Sequence, residues 1–200
     1  MRKIVCLLGS PRPGGNSAVM AQALCEAAGK AGASVQTFAL NQLTYRGCQG
    51  CLACKKDAEA CVLQDGLTPV LEAVRACDVL VLATPVYFGE VTSQLKGFID
   101  RTFGYLQAGY AHLPRGERSR LSPGKTLVFV IAQGHPKEEL FTDIFPRYAY
   151  LLNWQGFTES RLLRACGVYH LGDAAARLEV LEEARVLGRE LATAQERAPE

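Results

Sequence analysis

KIVCLL (Lys3–Leu8) runs directly into GSPRPGGNS (Gly9–Ser17), and a stretch rich in Ala, Leu, Met and Glu follows up to Gly29. The first six residues form a short, β-rich apolar run that Gly9-Ser10-Pro11 ends, whereas Ser17–Gly29 carries good helix formers on an apolar stripe. Strand, tight loop and helix is the opening of a βαβ unit, and the chain downstream repeats the alternation. Ser34–Leu40 is a second short strand. After an aperiodic segment at 44–65, helix resumes at Thr68-Pro69, a cap followed by proline, with Val70, Leu71 and Val74 facing inward. Asp78–Thr84 is a continuous apolar run bounded by Pro85, the pattern of a central strand covered on both faces. Val91, Leu95, Phe98, Ile99, Thr102, Phe103 and Leu106 recur at helical spacing, and Lys125–Ala132 is another buried strand. Leu140, Phe141, Ile144, Phe145, Tyr148 and Leu151 mark a further helix, Phe157–Gly167 a fifth strand, and Asp173–Ala194 a last amphipathic helix.

This alternation implies right-handed crossovers and a parallel sheet with helices on both faces. The expected architecture is α/β: a three-layer sandwich whose five strands take the flavodoxin-like order 2-1-3-4-5, with its ligand crevice at the carboxyl ends of strands 1 and 3. Residues 1–200 read as one domain carrying a cysteine-rich insertion at 44–65, with no internal repeat and no dividing linker. The connection Gly104–Gly124 is long, and it reads either as a solvated loop or as a lid or subunit contact.

Composition narrows the partners. The chain of 200 residues is 48% apolar and 21% charged, as expected of a globular protein with a sizeable core. Lys+Arg 22 against Asp+Glu 20 leaves +2, so charge alone provides no surface for a nucleic-acid backbone or an anionic membrane. No segment reaches the roughly 18 uninterrupted apolar residues of a membrane span. MRKIVCLL imitates the start of a signal peptide, but its apolar run breaks at Gly9, short of the roughly 7–15 residues that export requires. A cytoplasmic protein is expected.

The loop Gly9–Ser17 carries the first chemistry. Three glycines and two prolines allow a tight backbone excursion that exposes successive N–H groups. A phosphate held there meets the helix N-terminus, the hydroxyls of Ser10 and Ser17, the amide of Asn16 and the charge of Arg12. The spacing fits neither G-x-G-x-x-G nor G-x-x-x-x-G-K-[ST], so a monophosphate is favoured over a dinucleotide or triphosphate. The plainer alternative is a turn and a helix cap. Pro85-Val86-Tyr87-Phe88-Gly89-Glu90 falls at the same sheet edge, and two adjacent aromatics on an exposed loop suit a planar, partly apolar ring. Gln133-Gly134-His135-Pro136 offers amide or imidazole hydrogen bonds to that ring's polar edge, although His135 by itself reads as a surface histidine.

With the Gly9–Ser17 loop, Pro85–Gly89, Lys96 and Ile99-Asp100-Arg101, the chain resembles the NADPH-dependent FMN reductase family over most of residues 1–135. Within it, C-x2-C-x2-C followed by a fourth cysteine is similar to the iron-sulfur flavoproteins, which bind FMN and a 4Fe–4S cluster. The resemblance implies phosphate contacts from Ser10, Arg12, Asn16 and Ser17. It also implies ring contacts from Pro85, Val86, Tyr87, Phe88 and Gly89, with Gln133 and Gly134 beside the ring. A homodimer or homotetramer is implied on the same basis. Lys96 and Asp100, four apart on a helix, are expected to pair on its surface and are left outside the site.

Cys48, Cys51, Cys54 and Cys61, half of the eight cysteines, fall within fourteen residues. Thiolates spaced by two residues, with a fourth nearby, can wrap one 4Fe–4S cube. Free thiols or a redox disulfide, and a zinc site, remain the alternatives, the last disfavoured because zinc knuckles are usually separated by a longer span. Lys55 and Lys56 either offset the cluster's negative charge or are solvated. Cys6, Cys25, Cys77 and Cys166 sit among apolar residues and read as inert filler. Three functions follow. One is an FMN-dependent oxidoreductase with a cluster, passing electrons from ferredoxin or NAD(P)H to a small acceptor; the second is an NAD(P)H-dependent FMN or quinone reductase without one; the third is a cysteine-based redox sensor. No side chain is required as a catalytic acid or base.

Overall fold

The computed structural model describes residues 1–193. Five parallel strands, β1 (Lys3–Leu8), β2 (Ser34–Ala39), β3 (Val79–Pro85), β4 (Lys125–Gln133) and β5 (Phe157–Cys166), form one sheet in the order β2-β1-β3-β4-β5. The expected topology is therefore present. β4 is buried at every position, and β3 at every position but its last, because both lie inside the sheet with helices over each face.

Side-chain alternation divides the core between two layers. Val5 and Leu7, Leu80 and Leu82, and Leu127, Phe129 and Ile131 point to one face, where α2 (Thr68–Ala76), α3 (Ser93–Arg101) and α4 (Ile144–Asn153) pack. Ile4 and Cys6, Val79 and Val81, and Val128 and Val130 point to the other, beneath α1 (Asn16–Lys30) and α5 (Leu178–Thr193). Cys6 and Cys25 meet in this second layer, and burial pushes the Cys77 thiol in the first up to about 12. Cys166, at the end of β5, is only partly buried, so it departs from the expectation of core filler.

The helix ends differ from the periodicity, each for a local reason. α3 is capped by Thr92, whose Oγ1 accepts from Leu95 N–H, and it gives way at Thr102 to a tighter 3-10 turn ending at Tyr105. Leu140 and Phe141 precede α4, with Phe141 in the left-handed region at φ 60°. The last helix starts at Leu178 rather than near Asp173, because Asp173 Oδ2 accepts from Tyr169 and His170 N–H and closes a turn instead. Its expected end at Ala194 lies outside the described residues. Among the described residues no helix is long and apolar enough to cross a membrane.

Candidate functional site

The loops leaving β1, β3 and β4 enclose a cavity of about 490 Å3 at the carboxyl edge of the sheet. Ser10, Arg12 and Asn16 line it from the first loop, Pro85, Val86, Tyr87, Phe88 and Gly89 from the second, and Gln133 and Gly134 from the third. Ser17 sits behind this wall. It is buried, and its Oγ has no hydrogen-bond partner.

The first loop folds tightly on itself. Arg12 N–H donates to Ser10 Oγ (3.2 Å) and Gly15 N–H to Arg12 O (3.1 Å). A Cβ at Gly15 would stand 2.6 Å from Ser10 Oγ and 3.2 Å from Arg12 O, so a larger residue there would push the Ser10 hydroxyl aside. Gly15 then caps α1 without a side-chain acceptor, and no acidic residue occupies the first turn. First-turn amides and the positive end of the helix dipole are thus left for an anion. The Asn16 side chain is turned away from that role. Its amide donates to Val168 O (3.1 Å) and His170 O (2.9 Å), and its Oδ1 accepts from Ala174 N–H (3.0 Å), stitching this loop to the one after β5. Arg12 Nη1 reaches Tyr169 O in the same loop (3.3 Å).

Tyr87 and Glu90 bond each other's backbones across a two-residue turn in which Phe88 (φ 49°) and Gly89 (φ 76°) are both left-handed. Phe88 is held fully exposed at the tip. Glu90 anchors the turn: Oε1 accepts from Tyr148 OH (3.0 Å), and Oε2 pairs with Arg147 (2.9 Å). Burial and the adjacent Glu90 carboxylate both push the Tyr148 phenol up, so it stays neutral. Gln133 is wholly buried; its amide donates to His135 O and Lys137 O (2.7 Å each), and its Oε1 accepts from Arg164. Its side chain therefore shapes the third loop. His135 Nδ1 accepts from Lys137 N–H at the surface.

Sequence reasoning missed the apolar wall formed by Phe141, Val168, Tyr169 and Leu171. A signal existed for the last three, since VYHL follows β5 as the recognised loops follow their strands. Lys96 and Asp100 pair at 2.6 Å on the surface of α3, as expected.

Cys48, Cys51, Cys54 and Cys61 line a second, small cleft of about 60 Å3 together with Leu52, Val62, Leu63, Arg101 and Phe103. Cys48 and Cys51 are exposed, and Cys54 and Cys61 are partly buried. Among the described residues no three His, Cys, Asp or Glu side chains converge closely enough to hold one metal ion. The long connection after α3 meets the cleft only at its start, Gly104, and it is not a free loop. Lys55 Nζ donates to Phe103 O and Leu106 O and lies 4.0 Å from the Phe103 ring centroid, while Arg120 Nη1 donates to Cys54 O and Gly104 O. Burial pulls the Lys55 ammonium below its ordinary value. The two cavities share no lining residue.

An α1 N-terminus without a side-chain cap thus lies at one end of a largely apolar slot, at the switch point of a doubly wound parallel sheet, where α/β proteins of this architecture bind their ligands. Residues 2–137 match the NADPH-dependent FMN reductase family, and the chain belongs to it. An iron-sulfur flavoprotein of Archaeoglobus fulgidus is 33% identical over 138 residues, covering 68% of this chain and 58% of that protein. One from Methanosarcina thermophila is 35% identical over 100 residues, covering 50% of this chain and 52% of its own. The chain thus spans little more than half the length of these relatives. The solved structure of an NAD(P)H:quinone oxidoreductase from Methanothermobacter marburgensis superposes with a TM-score of 0.71 at 20% identity, covering 97% of this chain and 98% of that one, a likeness of fold.

Proposed function

We propose that this protein is an FMN-dependent oxidoreductase that takes electrons from NAD(P)H or ferredoxin and delivers them to a small flat acceptor of the quinone type. The observation that carries the reading is the pairing, in one cavity, of an uncapped α1 N-terminus with the apolar slot between the loops after β3, β4 and β5. The residues fit FMN. A buried hydroxyl without a partner costs about 1–3 kcal/mol, and a phosphate at the α1 N-terminus would give Ser17 Oγ its acceptor. Arg12 supplies the full positive charge, and the α1 amides supply directional donors. Val86, Tyr87, Phe141 and Leu171 provide apolar surface for a ring and keep water from it. Bound FMN supplies both hydride and one-electron chemistry. Asn16 and Gln133 contribute as braces of the cleft, since their side chains are engaged within the protein.

The same proposal includes a 4Fe–4S cluster on Cys48, Cys51, Cys54 and Cys61. Four thiols around one cleft are the right donor set, and the overlapping C-x2-C-x2-C spacing favours a cube over zinc. Lys55 and Arg120, bonded there to carbonyls rather than carboxylates, offset thiolate charge. A homodimer or homotetramer belongs to the reading as well, supported by the exposed apolar residues Tyr150, Leu151 and Leu162.

Anaerobic purification and reconstitution test it. Flavin absorbance with one FMN per chain, NAD(P)H-dependent quinone reduction, and iron with sulfide are expected. Flavin and turnover without iron would leave a cluster-free reductase, and a colourless protein that takes up no FMN would end the oxidoreductase reading.

A further inference from the structure

One guanidinium ties the cysteine cleft to the body of the protein. Arg101, the last residue of α3, is 1% exposed and heads the largest fully buried side chains. Nη1 donates to Arg46 O (2.9 Å) and to Asp65 Oδ2 (2.8 Å), and Nη2 donates to Leu63 O (3.0 Å). Arg46 precedes Cys48 and Leu63 follows Cys61, so a single planar group grips both ends of the segment that carries all four cysteines. A planar fork suits this task, because lysine offers no comparable fixed set of donors.

The guanidinium does more than close a loop. Its Nε is buried and has no partner, although a buried charged donor is costly to leave unpaired. Arg101 lines the cysteine cleft itself, beside Cys61. A ligated thiolate at Cys61 would supply the acceptor that this donor lacks.

We infer that Arg101 is a positioning residue of the cysteine site, clamping both ends of the segment and offering its unpaired Nε–H and its charge to the cleft that Cys61 lines. This rests on the cluster reading above. A positive charge and a hydrogen bond at a ligating sulfur stabilise the more negative, one-electron-reduced cluster, so Arg101 raises its reduction potential. Asp65 opposes it by partly neutralising the guanidinium. The two residues therefore pull the potential in opposite directions, which a purely structural ion pair does not predict.

The test uses anaerobically reconstituted full-length protein, with FMN, iron and sulfide counted per chain and the cluster potential read by a dye-mediated titration against dithionite. Arg101→Lys is expected to keep FMN, lose part of its iron and shift the cluster to a more negative potential. Asp65→Asn is expected to keep the cluster and shift it to a more positive potential. A wild-type cluster whose potential moves in neither variant overturns the inference alone. Wild-type protein with FMN but no iron or sulfide overturns the cluster reading, and the inference with it. If Arg101→Lys does not fold, as judged by circular dichroism, the sign for Asp65→Asn decides: a positive shift supports the inference, and an unchanged or negative one overturns it.

Discussion

In the proposed phosphate site, Ser17 would contribute a donor buried in the protein and Arg12 a charge near the surface. Arg12 is held by a single long hydrogen bond to Tyr169 O, so its removal leaves the loop's own backbone bonds intact. Losing one charge-assisted contact of about 1.5–3 kcal/mol corresponds to roughly tenfold or greater weakening. Arg12→Ala is expected to lower FMN affinity by that amount without unfolding the chain, as read by flavin fluorescence titration of apoprotein; unchanged affinity would contradict the phosphate assignment. Phe88 presents the opposite situation. Its ring buries nothing within the chain, yet its backbone occupies a left-handed conformation that costs a non-glycine residue about 1–2 kcal/mol. Asn tolerates that conformation, so Phe88→Asn is expected to raise stability by about 1 kcal/mol in urea denaturation. A fall in stability would mean that the exposed ring makes contacts not visible in one chain.

At the scale of elements, the cysteine segment is tethered by three cations: Arg101 from the end of α3, Arg120 from the long connection, and its own Lys55 reaching out to Phe103 O. The segment has little regular structure, only a 3-10 turn at Ala53–Lys55, so its shape depends on these tethers. The four thiols line a cleft that shares no lining residue with the cavity at the sheet edge, and under the proposed function each site would load on its own. Cys51→Ser is accordingly expected to abolish iron and sulfide while FMN per chain stays at the wild-type value. Loss of both cofactors together would show that the two sites depend on each other, and loss of neither would discard Cys51 as a ligand. The loop Gly9–Ser17 was legible as an element because its cause is local: glycine and proline between an apolar strand and a helix-forming run. The clamp on the cysteines was not, because Arg46 and Leu63 reveal nothing in sequence about which side chain will bind their carbonyls.

For the whole molecule, the Asp65–Arg101 pair makes stability depend on pH. Burial pushes the Asp65 carboxyl up, but hydrogen bonds from Arg101 and from the N–H groups of Arg46 and Leu67 outweigh it and hold the group below its ordinary value. A carboxylate with a depressed folded pKa contributes stability that is present above its unfolded pKa of about 3.9 and is lost as pH falls through the folded one. The stability advantage of wild type over Asp65→Asn should thus be present at neutral pH and shrink as acidification passes below about pH 4. Urea midpoints measured at both ends of that range check it, and a constant difference would mean that Asp65 is not ionised in the pair.

Strand order and the presence of a cavity at the carboxyl edge of the sheet were settled by the chain's pattern alone. Apolar runs of strand length, alternating with helical periodicity, admit few parallel topologies, and in those the ligand crevice falls at the switch point. Which polar side chains remain free to meet a ligand was decided only in three dimensions. Asn16 and Gln133 have the right chemistry for a cofactor, but Asn16 bonds to groups more than 150 residues away, and Gln133 is shared between its own loop and Arg164 in β5. Tertiary packing likewise made Arg101 the most deeply buried cation of the cysteine cleft. Local propensity depends on neighbours along the chain, whereas the pairing of a buried polar group depends on which distant backbone carbonyl the fold brings within about 3 Å.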